Sequence, residues 1–405
     1  MTNSSGGQTP NASNPLRTLF LNENIGGHAT MHRGIQANID SDNRVVTRFL
    51  NVPPTGRVRR IASVQVPGLA RMDLDLQAMR GQLALSFNAN RLLNLSRGTY
   101  DILHAYTQHS VLFSTKVLRA VPSVVSTDAS GDQVARMLPY RDATSWTDRQ
   151  SSLRHRFEQP VWDAATLVVT KSEWAAKSLR EDYGIGDERL RMIPMGIEVP
   201  NVLPERVAQA RPVITFIGRS LRRKGGQQLL DIHRARWADR VDLHLVTKES
   251  VPPGPGLFVH NDFSPGDARL QGLLARTSVF AFPSEIDTFG YAVLEAMAAG
   301  VAVVARKHGA LPEIVVEGET GLLTDSSDAS LISSIERLLD DRALAERMGE
   351  AGRARAMSKY NAKLTTPALI EVLLEAKDVF DSRADSRADS RADSRADSRA
   401  GQKKR

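Results

Sequence analysis

Short apolar runs recur along the chain, each followed by a polar or glycine-bearing turn and then by a stretch whose apolar positions repeat at helical spacing. "LRTLFLN" (16 to 22) is the first, leading through Gly26 and Gly27 into a helical stretch that ends near Asp40. "VVTRFLNV" (45 to 52) reads as a second strand, and the long segment from about Met72 to Leu95 puts Met72, Leu76, Met79, Leu83 and Phe87 on one stripe expected to face the core. "YDILHAY" (100 to 106), "VPSVVSTD" (121 to 128) and "ATLVVT" (165 to 170) continue the alternation, with Thr170 and Glu173 spaced as a capping box. A proline-bearing connector, "NVLPERVAQARP" (201 to 212), interrupts it. The pattern then restarts with "VITFIG" (213 to 218), "VDLHLV", "LFVHND", "SVFAFPS" and "VAVVA".

Strands apolar on both faces, alternating with helices, belong to parallel sheets covered on both sides. The predicted fold is α/β, with two doubly wound Rossmann-like domains facing across a cleft. The expected divisions are an unstructured start (1–15), a first domain (16–200), a linker (201–211), a second domain (212–364), a helix (365–380) and a tail (381–405). The helix carries Leu369, Val372, Leu373, Ala376 and Phe380, which need a surface to cover.

Composition changes this picture little. A chain of 405 residues accommodates two such domains. The opening "MTNSSGGQTPNASNP" lacks the basic and apolar regions of a signal peptide, and no apolar run approaches the roughly twenty residues that span a bilayer, so a soluble body is expected. Cysteine is absent, which excludes disulfides and thiol-ligated metal. The net charge of +7 is spread along the chain, with two short basic clusters, "RVRR" (57 to 60) and "RSLRRK" (219 to 224). Charge alone identifies no nucleic-acid module, and no nucleic-acid partner is expected. The tail holds five copies of "DSRA", which in a helix would stack like charges at i,i+4; a disordered segment is expected.

Candidate chemistry begins with "SEIDTFGYAVLEAMAAG" (284 to 300), where Glu295 is the one charged residue between Asp287 and Arg306. An ionised carboxylate buried without donors costs on the order of several kcal/mol, so it points to water or something answers it. Thr288 is placed to cap a helix from about Gly290 to Ala299, and the flanking strands make a parallel unit whose ligand-binding end carries Asp287. In "FIGRSLRRKGGQQLLD" (216 to 231), Arg219 follows a strand and Lys224 precedes two glycines, a placement that lets both converge on a diphosphate. Arg222 and Arg223 are left to solvent, and the Walker A spacing is missing.

"GRSLRRKGG", "FPSEIDTFGYAVLEAMAAGVAVVA" and "HGALPEIVVEGETGLLTD" (308 to 325), in that order, resemble the second domain of family-4 retaining glycosyltransferases with the GT-B fold. The resemblance extends over about residues 16 to 380, strongly in the second half and weakly in the first. It implies a nucleotide-sugar donor, a uridine diphosphate sugar being favoured over guanosine or adenosine diphosphate sugars, no cofactor and no metal. Glu295 takes the place of the family's ribose ligand. Asp287, with Phe289 and Gly290 close by, takes that of the donor-sugar site, one methylene shorter than the usual Glu. Arg219 and Lys224 match its diphosphate-binding pair. In the first half, "NIGGHATMHRG" resembles the glycine-rich loop, with Gly26 and Gly27 near the donor and His28 near donor or acceptor. "YDILHAY" resembles the strand that delivers a histidine to the sugar, which points to His104. Asp128, at a strand end, is a weaker acceptor-side candidate. The acceptor is a sugar, another small molecule or a lipid-linked compound. The Asp-x-Asp in "MDLDL" (72 to 76) falls in a helical stretch and gives little support to a metal-dependent enzyme.

Two rivals keep the fold: a nucleotide-sugar epimerase or a phosphorylase, and a silent GT-B module acting as a partner or membrane-docking subunit. Retention of Arg219, Lys224, Asp287 and Glu295 together speaks against the second. A cytoplasmic location is expected. Arg57, Arg59 and Arg60 leave two readings open: a solvated loop, or a weak, salt-sensitive contact with the inner membrane face.

Overall fold

The computed structural model describes residues 14–23, 28–52, 64, 77–136, 147–205, 209–264 and 266–402. Gly26, Gly27, the basic run 57–60, "MDLDL" and most of the polar N-terminus lie outside these residues.

Two six-stranded parallel sheets make up the body. The first consists of β1 (Leu16–Asn22), β2 (Val45–Asn51), β3 (Ile102–Ala105), β4 (Ser123–Thr127), β5 (Leu167–Thr170) and β6 (Leu190–Met192), in the order β2-β1-β3-β4-β5-β6. The second holds β7 (Val213–Ile217), β8 (Asp242–Val246), β9 (Leu257–His260), β10 (Val279–Phe282), β11 (Ala302–Arg306) and β12 (Gly321–Thr324), ordered β12-β11-β10-β7-β8-β9. Every pairing is parallel. Strand order reverses direction between β1 and β3 in one sheet and between β7 and β10 in the other. Those two crevices are where ligands of doubly wound sheets bind.

The central strands are buried on both faces: β4, β5, β10 and β11 expose no residue. One face of the first sheet, with Phe20, Tyr106 and Val124, continues through Ile193, Met195 and Ile197, which follow β6, into the core of the second domain. The two domains therefore share apolar packing as well as a cleft.

The long helix Ala362–Gln402 starts three residues earlier than expected. It returns to the first domain, burying Leu369, Val372, Leu373 and Ala376, while Arg44 meets Glu371 and Arg191 meets Glu375. Its backbone runs on through the "DSRA" repeat, past the boundary at 380 where sequence patterning ends regular structure. The docked stretch supplies the costly nucleus, so extension needs only one hydrogen bond per residue added. Ser382 Oγ and Ser386 Oγ donate back to the carbonyls of Asp378 and Ser382, at 2.8 and 2.9 Å. The helix Gln77–Leu95 corrects the stripe drawn from periodicity, since Met79 is buried whereas Phe87 is 68% exposed.

Candidate active site

In the second sheet, the crevice between β7 and β10 receives the loop after β7 (218–225) and the loop after β10 (283–290). The first is pressed against the second. Gly225 has φ of 75°, and a Cβ there would lie 2.1 Å from the Pro283 carbonyl oxygen, so only glycine allows this approach. Between the loops and the first domain lies a cavity of about 400 Å³ lined by Arg219, Arg223, Lys224, Asp287, Tyr291 and Glu295, with Val246, Phe263 and Leu270 as an apolar wall.

Lys224 Nζ donates to Asp287 Oδ2 at 2.7 Å and to the Ile286 carbonyl at 2.9 Å. Both side chains are about 15% exposed, so the pair is held with little water. Arg219 is exposed beside it. The cationic side chains that line the cavity outnumber Asp287 and Glu295, an excess of positive charge suited to an anion.

Glu295 lines the same cavity. Gly290, with φ of 100°, turns the chain into the helix Tyr291–Ala298. Val293, Leu294, Ala296 and Met297 bury one side of that helix, while Tyr291, Ala292 and Glu295 line the cavity. Burial raises the Glu295 carboxyl to about 7, opposed only by the positive charge of Arg33. The carboxylate is partly exposed and lines the cavity, with no close ion pair to it among the described residues. Phe289 is 2% exposed and packs edge-on to Tyr360, so its backbone alone is free to serve the cavity.

Thr288 does not cap the helix. Its hydroxyl crosses the cleft and donates to Asp128 Oδ2 of the first domain at 2.6 Å. That contact ties Asp128 to the loop 283–290, although neither residue is among those that line the cavity. A second bridge lies nearby: Glu313 accepts from the backbone N–H groups of Glu173 and Trp174, at 2.8 and 2.7 Å, at the start of the helix Glu173–Glu181. Ser172, not Thr170, caps that helix, its Oγ accepting from Ala175 N at 3.1 Å.

His104 is not brought to the cavity. It lies inside β3 with no exposed surface, its Nε2 2.8 Å from Ser126 Oγ and its ring edge-on to Phe20 and Tyr106 at 5.0 and 5.2 Å. Burial pushes its pKa well below the ordinary histidine value, which keeps it neutral. An interior strand position closed by both neighbouring strands explains the correction. His28 opens the helix His28–Ile39.

Sequence patterning missed Tyr291, left Arg223 to solvent although it lines the cavity, and overlooked Glu313. The signal for Tyr291 was available, since Tyr291 and Glu295 stand at i,i+4 and share a helix face. Glu313 carried none, because its partners are distant in sequence.

Two family models match the chain: "Glycosyl transferase 4-like domain" over residues 28–196 and "Glycosyl transferases group 1" over residues 259–355. The α-maltose-1-phosphate synthase of Mycobacterium tuberculosis is 32% identical over 350 residues, which is 75% of this chain and 88% of that enzyme. The MMP α-(1→4)-mannosyltransferase of Mycolicibacterium hassiacum is 31% identical over 207 residues, covering 48% of this chain and about half of that enzyme's length, 50%. Among solved structures, sucrose-phosphate synthase from Thermosynechococcus elongatus superposes with a TM-score of 0.69 at 18% identity, covering 89% of this chain and 98% of that one. Anabaena HepE in complex with UDP and glucose superposes with a TM-score of 0.62 at 16% identity, covering 88% and 99%. No helix among the described residues is long and apolar enough to cross a membrane.

Proposed function

Because the chain belongs to family 4 of the glycosyltransferases with the GT-B fold, we propose that it moves a sugar from a nucleoside-diphosphate donor to an acceptor hydroxyl, with retention of anomeric configuration and without a metal. One observation carries this reading: Arg219, Lys224, Asp287 and Glu295 converge on a single cavity at the reversal point of the second sheet.

In this reading Glu295 accepts hydrogen bonds from the two ribose hydroxyls, a task for which a carboxylate's lone pairs are well suited. Arg219 and Lys224 hold the diphosphate and neutralise the charge that grows on it as the glycosidic bond breaks. Asp287 and the backbone N–H groups of Phe289 and Gly290 orient the sugar. The acceptor enters from the first domain, where Asp128 is placed to hold its hydroxyl. That hydroxyl oxygen bonds to the anomeric carbon on the face the phosphate leaves. The electron pair of the broken bond goes to the leaving phosphate oxygen, and the acceptor proton passes to the phosphate, so no protein nucleophile takes part. Uridine diphosphate sugars remain the favoured donors, in line with the UDP in the HepE structure. The name of the maltose-1-phosphate synthase makes a sugar phosphate the first acceptor to try.

The test is incubation of the full chain with uridine, guanosine and adenosine diphosphate sugars and sugar-phosphate acceptors in EDTA. Nucleoside diphosphate release and the anomeric configuration of the product by NMR are the readouts. An α-linked product from an α-linked donor is expected. An inverted product overturns retention, and epimerised donor without transfer favours the epimerase. Absence of both turnover and nucleoside diphosphate binding across the panel overturns the donor reading.

A further inference from the structure

We propose that Arg33 is a positioning residue for the donor, a clasp that reaches from the first domain to a loop walling the cavity in the second and holds the cleft shut over bound nucleotide; this rests on the donor reading above. The helix His28–Ile39 is built to aim it. Met31, Ile35 and Ile39 are buried in the core, and His32 Nδ1 lies 3.0 Å from the Tyr106 hydroxyl, so that face is fixed. Gly34 lets the helix press against the start of the C-terminal helix, since a Cβ there would lie 3.2 Å from Ala362 Cβ. Thr30 lines the donor cavity, and Arg33, one turn further along the same face, is exposed.

The guanidinium meets the other domain at Gly266. A Cβ on Gly266, whose φ is 82°, would lie 2.5 Å from Arg33 Nη1, 3.4 Å from Cζ and 3.7 Å from Nη2, so the fork rests directly on the backbone there. That loop belongs to the cavity wall: Phe263 and Ser264 before Gly266 and Leu270 after it line the donor space. It is also braced from within. Asp267 caps the helix Ala268–Leu274, and Arg269 holds both Asp262 and Asp267 at 2.6 Å. An arginine of one domain lying on a braced wall segment of the other requires a closed cleft. Charge adds a second link, because Arg33 favours the ionised form of Glu295 against the burial that disfavours it. Arg219, Arg223, Lys224, Lys248 and Asp287 line the same cavity, and Tyr291 stands one turn before Glu295 on its helix. All of these come from the second domain, whereas Arg33 comes from the first. Closure therefore carries a positive charge toward the carboxylate that takes the ribose hydroxyls.

The experiment titrates uridine diphosphate into the full chain in EDTA, as wild type, Arg33→Gln and Arg33→Lys, from pH 5.5 to pH 8. A solvent-exposed contact predicts roughly two- to fivefold weaker binding by Arg33→Gln at low salt and a smaller loss at high salt, with the melting temperature of the ligand-free protein unchanged. The donor KM rises in the same proportion and the acceptor KM stays put. Without the positive charge Glu295 holds its proton more tightly, so the pH below which affinity falls moves upward; the ratio to wild type cancels the ligand's own ionisation. Arg33→Lys keeps the charge without the fork, so it loses part of the affinity and retains the wild-type pH profile. In a Glu295→Gln background, Arg33→Gln leaves the pH profile where it was. Equal affinity of wild type and Arg33→Gln overturns the inference, as does a loss of affinity with no movement of the pH profile; wild type still binds in both cases, and the donor reading stands. If wild type binds no uridine diphosphate, the donor reading fails and carries the inference with it.

Discussion

In the second domain, the crevice between β7 and β10 is filled by two loops whose polar side chains have no better place to go than the cavity: Arg219, Lys224, Asp287 and, one turn into a helix, Glu295. In the first domain, two histidines near the crevice between β1 and β3 pair inside the fold. His104 bonds Ser126 inside the sheet, and His32 bonds the Tyr106 hydroxyl at 3.0 Å. The two halves have nearly the same sheet plan and both hold buried polar atoms without a partner, among them His104 Nδ1 and Thr107 Oγ1 in the first, but the second gathers charged side chains around a cavity of about 400 Å³. A charged residue in a loop at a strand end has to meet a ligand or water. A histidine closed inside a strand, with no exposed surface and one ring nitrogen bonded to a neighbour, says little about catalysis.

The strongest way to break this contrast is Arg219→Ala. Because the side chain is exposed and bonded to nothing that packing needs, stability should change by less than about 0.5 kcal/mol, whereas transfer should fall by roughly 10²–10³. Steady-state kinetics beside a thermal melt would decide; a small kinetic effect would place the anion site elsewhere.

Next in size is the cost of an ionised Glu295. Its folded-state pKa of about 7 lies above the ordinary 4.5, so the fold holds a proton that the unfolded chain releases. That contribution is fully present below about pH 4.5 and is lost as pH rises through about 7. Glu295→Gln removes the ionisation. It should stabilise the ligand-free protein at pH 8 by up to about 3 kcal/mol and leave it unchanged near pH 4.5, measured by calorimetry at both pH values.

His104→Phe tests the first domain. Losing the Ser126 bond should cost about 1–2 kcal/mol, yet turnover per folded molecule should stay within about threefold. A hundredfold drop in kcat at unchanged stability would make His104 catalytic and erase the distinction between the halves. The smallest effect is expected for Glu313→Gln, which weakens the bridge to the N–H groups of Glu173 and Trp174. A loss of about 1 kcal/mol should appear as a few-fold rise in donor KM with kcat intact, because the closed cleft becomes less populated.

Both sheets, and the loops that bring Arg219, Lys224, Asp287 and Glu295 to one cavity, were legible because each is local: an apolar run gives a strand, and a loop of fixed spacing follows its carboxyl end. Glu295 stood out as a charge inside an apolar helix. What failed depended on contacts between distant segments. Thr288 has the chemistry of a helix cap, but Asp128 outcompetes the helix for its hydroxyl. Thr170 has the spacing of a capping box, but Ser172 and Glu313 serve that helix instead. Phe87 fits an apolar stripe and still faces water, because the neighbouring elements cover Leu85 and Ala89 rather than Phe87. The glycine-rich loop and the basic run of the first half lie outside the described residues, so the membrane reading rests on sequence alone.

The central claim is that Glu295 is the ribose ligand of a nucleoside diphosphate site, and the affinity ratio of wild type to Glu295→Gln tests it most directly. Titration with uridine diphosphate in EDTA from pH 5.5 to pH 8 cancels the ligand's own ionisation in that ratio. The account predicts about tenfold tighter binding by wild type at pH 8, as expected for a hydrogen bond to a charged group. The ratio should close toward one as Glu295 takes up its proton below about pH 7. Equal affinity at pH 8, or a ratio that does not move with pH, would contradict it.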